Sequence, residues 1–285
     1  MPRDLYNCTA NELATHSVEH LERAMPPSDA AAWLDENGYD AAPVYADDDP
    51  IGFIQKEDLT ADYDGNTLDK CLTPLTIDYM ISGDASFTSI LSALIENPIY
   101  FLGGHNYVSG ILTRADLNTA PARIYLFDRI TYLEEHLREL ILDNVPNWKQ
   151  TPVTIDEIDD IEDRYADAQA ANVALDETHY AQFSTLVTIV TSTDACWQAC
   201  GFSTKGNAGS RLHDVTELRN DVAHANLLVE NTDSNGFLSS GRTTENLHNT
   251  LEIINNTLQN LREEGYDPGT TSDHDQNAIS YSSVL

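Results

Sequence analysis

The sequence predicts an α+β protein in two parts: a duplicated half in which short β-rich runs alternate with helices, then an all-α helical bundle. Three observations predict it: an internal repeat in the first half, apolar residues at helical spacing in the second, and turn-forming clusters between the periodic stretches. The repeat aligns "LDENGYDAAPVYADDDPIGFIQKEDL" (residues 34–59) with "LIENPIYFLGGHNYVSGILTRADL" (residues 94–117). In each copy a helix ends near Glu-Asn, two short β-rich runs follow, and the second opens a Gly-h-h-x-x-x-Asp-Leu segment, h being hydrophobic. Gly52 and Asp58 thereby correspond to Gly110 and Asp116, a duplication with a period near 60 residues.

The chain changes character near residues 117–123. Beyond Ala122 the apolar spacing is helical: Leu126, Ile130, Leu133, Leu137, Leu140 and Ile141 make one stripe, and Ile158, Ile161, Tyr165 and Ala168 a second. Phe183, Leu186, Val187 and Val190 make a third, and Leu247, Leu251, Ile254, Leu258 and Leu261 a fourth. The breakers are "NVPNWKQTP", "LDET", "GFSTKGNAGS" and "NTDSNGFLSSG". With a helix over residues 210–228 this predicts about five helices in a bundle. "TLVTIVTSTDACW" is β-branched but reads as a continuation of a helix. The polar, aperiodic tail predicts disorder. The expected division is 1–120 for the repeats, 121–265 for the bundle and 266–285 for the tail.

At 285 residues, 41% of them apolar, the chain has material for one large or two ordinary domains. Its 47 Asp and Glu against 15 Lys and Arg give a formal net charge of −32, spread along the whole chain. Such a surface repels itself in dilute buffer; at about 1 M salt the Debye length falls to ~3 Å and the repulsion largely disappears. The composition resembles that of proteins from extremely halophilic archaea, and it argues against nucleic-acid binding driven by phosphate neutralisation alone. No apolar run approaches the ~20 residues of a membrane span, and "MPRDLYNCTANEL" lacks a signal core, so a cytoplasmic location is expected with no membrane partner. Cys8, Cys71, Cys196 and Cys200 form no CxxC pair, and Cys196 and Cys200 read as small buried thiols. "HSVEH" sets His16, Glu19 and His20 on one helical face, but without further ligands nearby no metal site is expected.

The marks "GYDAAPV", "PIGFIQKEDL" and "GILTRADL" resemble a tandem pair of CBS domains, a Bateman module, over roughly residues 12–120. The resemblance implies a β-α-β-β-α arrangement in each copy; the family signature is Gly-h-x-Thr/Ser-x-x-Asp, and such modules often bind adenosine nucleotides in the cleft between copies. A hydroxyl and helix N-terminal amides can hold a phosphate, and a carboxylate three residues later can accept from ribose hydroxyls. The second copy carries the signature in full as Gly110, Thr113 and Asp116, with Arg114 available to a phosphate. The first copy has Gln55 in place of the hydroxyl residue and keeps Lys56 and Asp58. The resemblance therefore implies one competent site, built mainly on Thr113 and Asp116, with AMP or ATP as a regulatory ligand and no required cofactor. The alternative is that both copies serve only as a dimerisation scaffold.

Within "LRNDVAHANLL", Leu218, Val222 and Ala225 share a helical face with Val215, while His213, Glu217, Asn220 and His224 fall on nearly the opposite line. "RNDVAH" matches the Arg-x4-6-His motif of the HEPN superfamily and resembles it over roughly residues 125–264. Those are helical bundles, many of them metal-independent ribonucleases that form homodimers with a composite site. The resemblance implies His224 as the group exchanging a proton with a ribose hydroxyl or leaving oxygen, Arg219 as the stabiliser of phosphorus-oxygen charge, and Asn220 as the residue orienting the imidazole. Arg219 lies about 120–140° round the helix from His224, so the two converge within one chain only if the arginine curls back. The reading is thus a nucleotide-sensing CBS module regulating a HEPN-like ribonuclease, with RNA as substrate. The alternative is a non-catalytic nucleotide-responsive adaptor.

Overall fold

The computed structural model describes residues 6–59, 66–230 and 241–266. The chain forms two compact units. One holds Asn7–Tyr125 with Leu227–His248; the other holds Leu126–Asn226 and the residues from Asn249 onward, with Tyr6. The expected disordered tail lies outside the described residues from 267 onward.

The first unit opens with the short helix α1 (Ala10–Leu13) and the strands β1 (Thr15–His16) and β2 (Leu21–Glu22). Then come α2 (Pro27–Asn37), β3 (Ala41–Ala46), β4 (Asp49–Gln55), β5 (Thr73–Pro74), β6 (Met80–Ile81), α3 (Phe87–Glu96), β7 (Ile99–Gly103) and β8 (Val108–Thr113). Two four-stranded sheets result, in the orders β2-β3-β4-β5 and β1-β8-β7-β6. The duplication is visible residue by residue. Val44 faces Gly52 as Leu102 faces Gly110, and Phe53 faces Thr73 as Ile111 faces Thr15. The register slips at Val44/Tyr45 and again at Leu102/Gly103. Each hairpin thus gains its edge from a segment that precedes it or follows it at the same 58-residue spacing that separates Gly52 from Gly110.

The sequence dictates these elements locally. Proline stands at the first position of α2, where its missing N–H costs nothing. Gly38 ends α2 in the left-handed region at φ 68° and donates its N–H to Asp35 and Leu34 carbonyls. Ser86 caps α3 by accepting from Ser89 N–H. One core collects Leu21, Ala30, Leu34, Val44, Ile54 and Leu68. Another joins the two copies through Phe53, Ile99, Phe101 and Val108, with the Phe53 and Phe101 rings 5.0 Å apart. Each such aromatic burial stabilises by about 2–3 kcal/mol.

Two expectations are corrected here. "HSVEH" is not helical: Thr15–His16 is a strand paired with β8, and Ser17 takes a positive φ of 59° that ends it. The element after β4 is only a three-residue 3-10 turn, Lys56–Asp58, and β8 is followed by a five-residue one, Arg114–Asn118, before the next helix begins.

That helix is α4 (Ala120–Asn144), followed by α5 (Ile155–Ala170), α6 (Phe183–Ser192), α7 (Asp194–Ala199), α8 (Lys205–His224) and α9 (Thr244–Glu263). The first stripe, Leu126 to Ile141, is buried in full, as is the fourth, Leu247 to Leu261. Ile161 alone of the second stripe is buried, its partners being half-exposed. About five helices were expected and six form among the described residues, because the β-branched run breaks at Thr193 into α6 and α7. The breaker "GFSTKGNAGS" is largely helix: Thr204 accepts from Asn207 N–H and starts α8 at Lys205, so capping overrides two weak glycines. The same helix ends at His224, not 228. Ala225 adopts φ 56° and donates its N–H to Asp221 and Val222 carbonyls. Ala225 is accordingly exposed, while Ala208, Leu212, Val215 and Leu218 form the buried face.

Candidate functional site

A cavity of about 500 Å³ lies in the first unit at the end of β8. Thr113, Arg114, Ala115 and Asp116 form one wall; Gly38, Tyr39, Asp40, Ala41 and Gln55 another; Pro98, Ile99 and Ile111 lie between, with Thr15, Ser17, Val18 and Glu19 at the side. The duplication explains this lining. Asp40 and Pro98, Ala41 and Ile99, and Gln55 and Thr113 are equivalent residues of the two copies, and both members of each pair reach the same space. Three local features open it: the left-handed stop at Gly38, the alignment of β1 with β8, and the reversal at Ser17.

Hydrogen bonds within the chain hold the hydroxyl–carboxylate pair together. Asp116 Oδ2 accepts from Thr113 N–H at 2.6 Å and from the Thr113 hydroxyl at 3.0 Å, and the Thr15 hydroxyl also donates to this carboxylate. Burial pushes the Asp116 carboxyl above the usual aspartate range, against the pull of those donors. Arg114 lines the cavity while its Nε donates to Leu94 O at 2.8 Å and its Nη2 to Ile95 O at 3.4 Å, the last carbonyls of α3. A guanidinium there complements the negative helix end. Gly110 does not line the cavity. A Cβ at this position would stand 3.3 Å from Ala14 Cβ and 3.4 Å from His16 Nδ1, so glycine lets the β1 segment lie against β8. Asp58 sits apart, in the turn after β4, while Lys56 pairs with Asp35. Of the cavity residues that the sequence did not assign to this site (Thr15, Ser17, Glu19, Tyr39, Asp40), Tyr39 and Asp40 had one signal, their 58-residue relation to Asn97 and Pro98 ahead of the second motif.

In the other unit, Arg219 and Asn220 are half-buried on α8 and His224 is its exposed last residue. Arg219 acts electrostatically on Glu134 of α4, whose carboxyl burial pushes up while Arg138 and then Arg219 pull it down. Glu134 and Arg138 form an ion contact of 3.8 Å with only 16% and 14% of their side chains exposed. Asp221 accepts from Asn226 Nδ2 at 3.1 Å and so closes the helix end. The helical period directs Arg219 and His224 to different sides of α8, and the acidic partner of Arg219 lies on its own side.

The four cysteines are buried free thiols. Burial pushes Cys8 up to about 12 and Cys196 up to about 11, far from thiolate reactivity. Among the described residues no group of three or more His, Cys, Asp or Glu is placed to hold a metal ion, and no helix is long and apolar enough to cross a membrane.

No protein-family model matches the chain, and no curated protein matches it significantly. Solved structures that resemble it include the CBS-pair protein CBSX2 from Arabidopsis thaliana, 17% identical, covering 39% of this chain and 92% of that one at a TM-score of 0.35. CBSX2 in complex with AMP is 19% identical over 39% of this chain and 93% of that one, with a TM-score of 0.35. The CBS domain of the bacterial CNNM/CorC family Mg2+ transporter, in complex with ATP, is 19% identical over 42% and 87%, again with a TM-score of 0.35.

Proposed function

We propose that the chain is a nucleotide-responsive regulator in which the duplicated unit, read as a CBS pair, takes an adenine nucleotide at the Thr113–Asp116 cavity. The observation that carries this reading is the convergence of both copies on one cavity that also holds the ordered hydroxyl–carboxylate pair. Asp116 would accept from the ribose hydroxyls, Thr113 would meet the first phosphate, and Pro98, Ile99 and Ile111 offer an apolar wall for the base. Thermal unfolding of the full chain in molar KCl tests it. At a hundredfold excess of AMP over its Kd the stabilisation is about 2.7 kcal/mol, and Thr113→Val and Asp116→Asn each lose most of it. An unmoved midpoint in the parent chain would sink the reading.

The helical unit is then the effector, and the chain acts as a homodimer in a salt-rich cytoplasm like that of extremely halophilic archaea. Nucleotide can shift the arrangement of two bundles only through different affinity for the two arrangements. A second reading gives the effector metal-independent RNA cleavage, favoured by the exposure of His224 with Asn220 one turn before it. The electrostatic pull of Arg219 on Glu134 weighs for a structural arginine and for the adaptor instead. In a cleaving dimer the arginine of one copy would serve the histidine of the other. RNA cleavage in molar KCl with EDTA, lost in His224→Ala with fold and dimer intact, separates the two; no cleavage leaves the adaptor.

A further inference from the structure

The cavity's charge carries an inference that rests on the nucleotide reading and narrows it. Three carboxylates, Glu19, Asp40 and Asp116, line it against a single guanidinium, that of Arg114. Arg114 is turned to the carbonyls of Leu94 and Ile95. The neighbouring Lys56 is turned away as well, paired with Asp35. The Thr113 amide, a natural phosphate donor, already donates to Asp116. The element that follows is a five-residue 3-10 turn, not an α-helix whose aligned amides would gather on an anion. We propose that the cavity takes an adenosine-like ligand with at most one phosphate and discriminates against adenosine di- and triphosphates.

The physical reason is desolvation combined with repulsion. Each added phosphate brings negative charge into a partly enclosed space whose fixed groups are mostly acidic and whose cation is engaged elsewhere. Salt screens the half-buried Asp116 carboxylate less than it screens the exposed Glu19 and Asp40. A ribose and a base meet the opposite situation. Their hydroxyls and amine are donors facing carboxylates, and Gln55 and Tyr39 add polar partners of neutral charge. The substitution of Gln55 where the other copy has Thr113 fits the same preference, since an amide in place of a small hydroxyl widens the neutral polar lining.

Isothermal titration of the full chain in molar KCl with EDTA, using adenosine, AMP, ADP and ATP, tests this directly. The expected order is adenosine and AMP tightest, with ATP at least tenfold weaker than AMP. The variant carrying Glu19→Gln and Asp40→Asn is expected to narrow the AMP-to-ATP ratio at least threefold. ATP binding as tightly as AMP overturns the proposal while leaving the nucleotide reading intact, and so does a ratio unchanged in the double variant. Failure of all four ligands removes the nucleotide reading itself and the proposal with it.

Discussion

His16 shows how a single residue can be set by its neighbours' main chain. Its Nδ1–H donates to Ser109 O at 3.0 Å and its Nε2–H to Asn11 O at 2.8 Å. Carbonyl oxygens only accept, so both bonds exist together only in the imidazolium. The two acceptors accordingly raise the ring above its ordinary value of 6.5. A raised histidine contributes stability that is fully present below 6.5 and is lost as pH rises through the raised value. The protection of the β1 and β8 amides against hydrogen exchange, taken relative to the intrinsic rate at each pH, is therefore expected to fall as pH rises from 6.5 through the raised value, and His16→Ala should remove that fall. Equal pH dependence in the variant would show that another group is responsible. None of this was legible from "HSVEH", which reads equally well as a helical face; the histidine's partners are a residue five positions before it and one ninety-three after.

At the scale of the element, Gly52 is the informative position, because it lies in the middle of β4 where glycine is ordinarily unfavourable. A Cβ there would collide with the Thr73 carbonyl oxygen and stand 2.7 Å from Leu72 Cδ1. The absence of a side chain lets β5 close on β4. Gly52→Ala is expected to cost about 1–3 kcal/mol through forced separation of the two strands, measured by guanidinium unfolding in molar KCl. Gly83→Ala, whose nearest neighbour would be Asn11 Cβ at 3.6 Å, should stay near the parent. The sequence marked Gly52 and Gly110 as equivalent, and the sheet explains the equivalence by strand approach. The helices divide similarly. The periodic stripes of α4 and α9 foretold their buried faces, whereas the start of α8 depended on Thr204 and its end on the left-handed Ala225, neither of which interrupts the apolar period.

For the whole molecule the governing quantity is the net charge of −32. Among the described residues, surface acids matched by cations include Asp69 with Arg23, Asp35 with Lys56, Glu162 and Glu177 with Lys149, and Asp160 with Arg164. Exposed pairs of this kind contribute about 0–1 kcal/mol each, far too little to offset repulsion among the remaining carboxylates. The unfolding midpoint is thus expected to rise steadily between 0.1 and 2 M KCl, and most steeply at the low end, where screening changes most. A midpoint independent of salt would place the stability in the cores alone. The same logic governs any RNA contact, which molar salt weakens further.

By itself the sequence determined the α+β division, the duplication, the helical periodicity and the position of the hydroxyl–carboxylate motif. All of these are properties of spacing along one chain, and spacing survives without knowledge of neighbours. Only the tertiary structure decided what those motifs face. It brought Asp40, Gln55 and Glu19 to Thr113 and Asp116, turned Arg114 to the end of α3, and placed Glu134 within the electrostatic reach of Arg219. The reason is that a cavity's charge balance and a cation's partner depend on residues scores of positions away, which periodicity cannot register. The motif fixed where a hydroxyl and a carboxylate meet; the walls around it fix the charge they face.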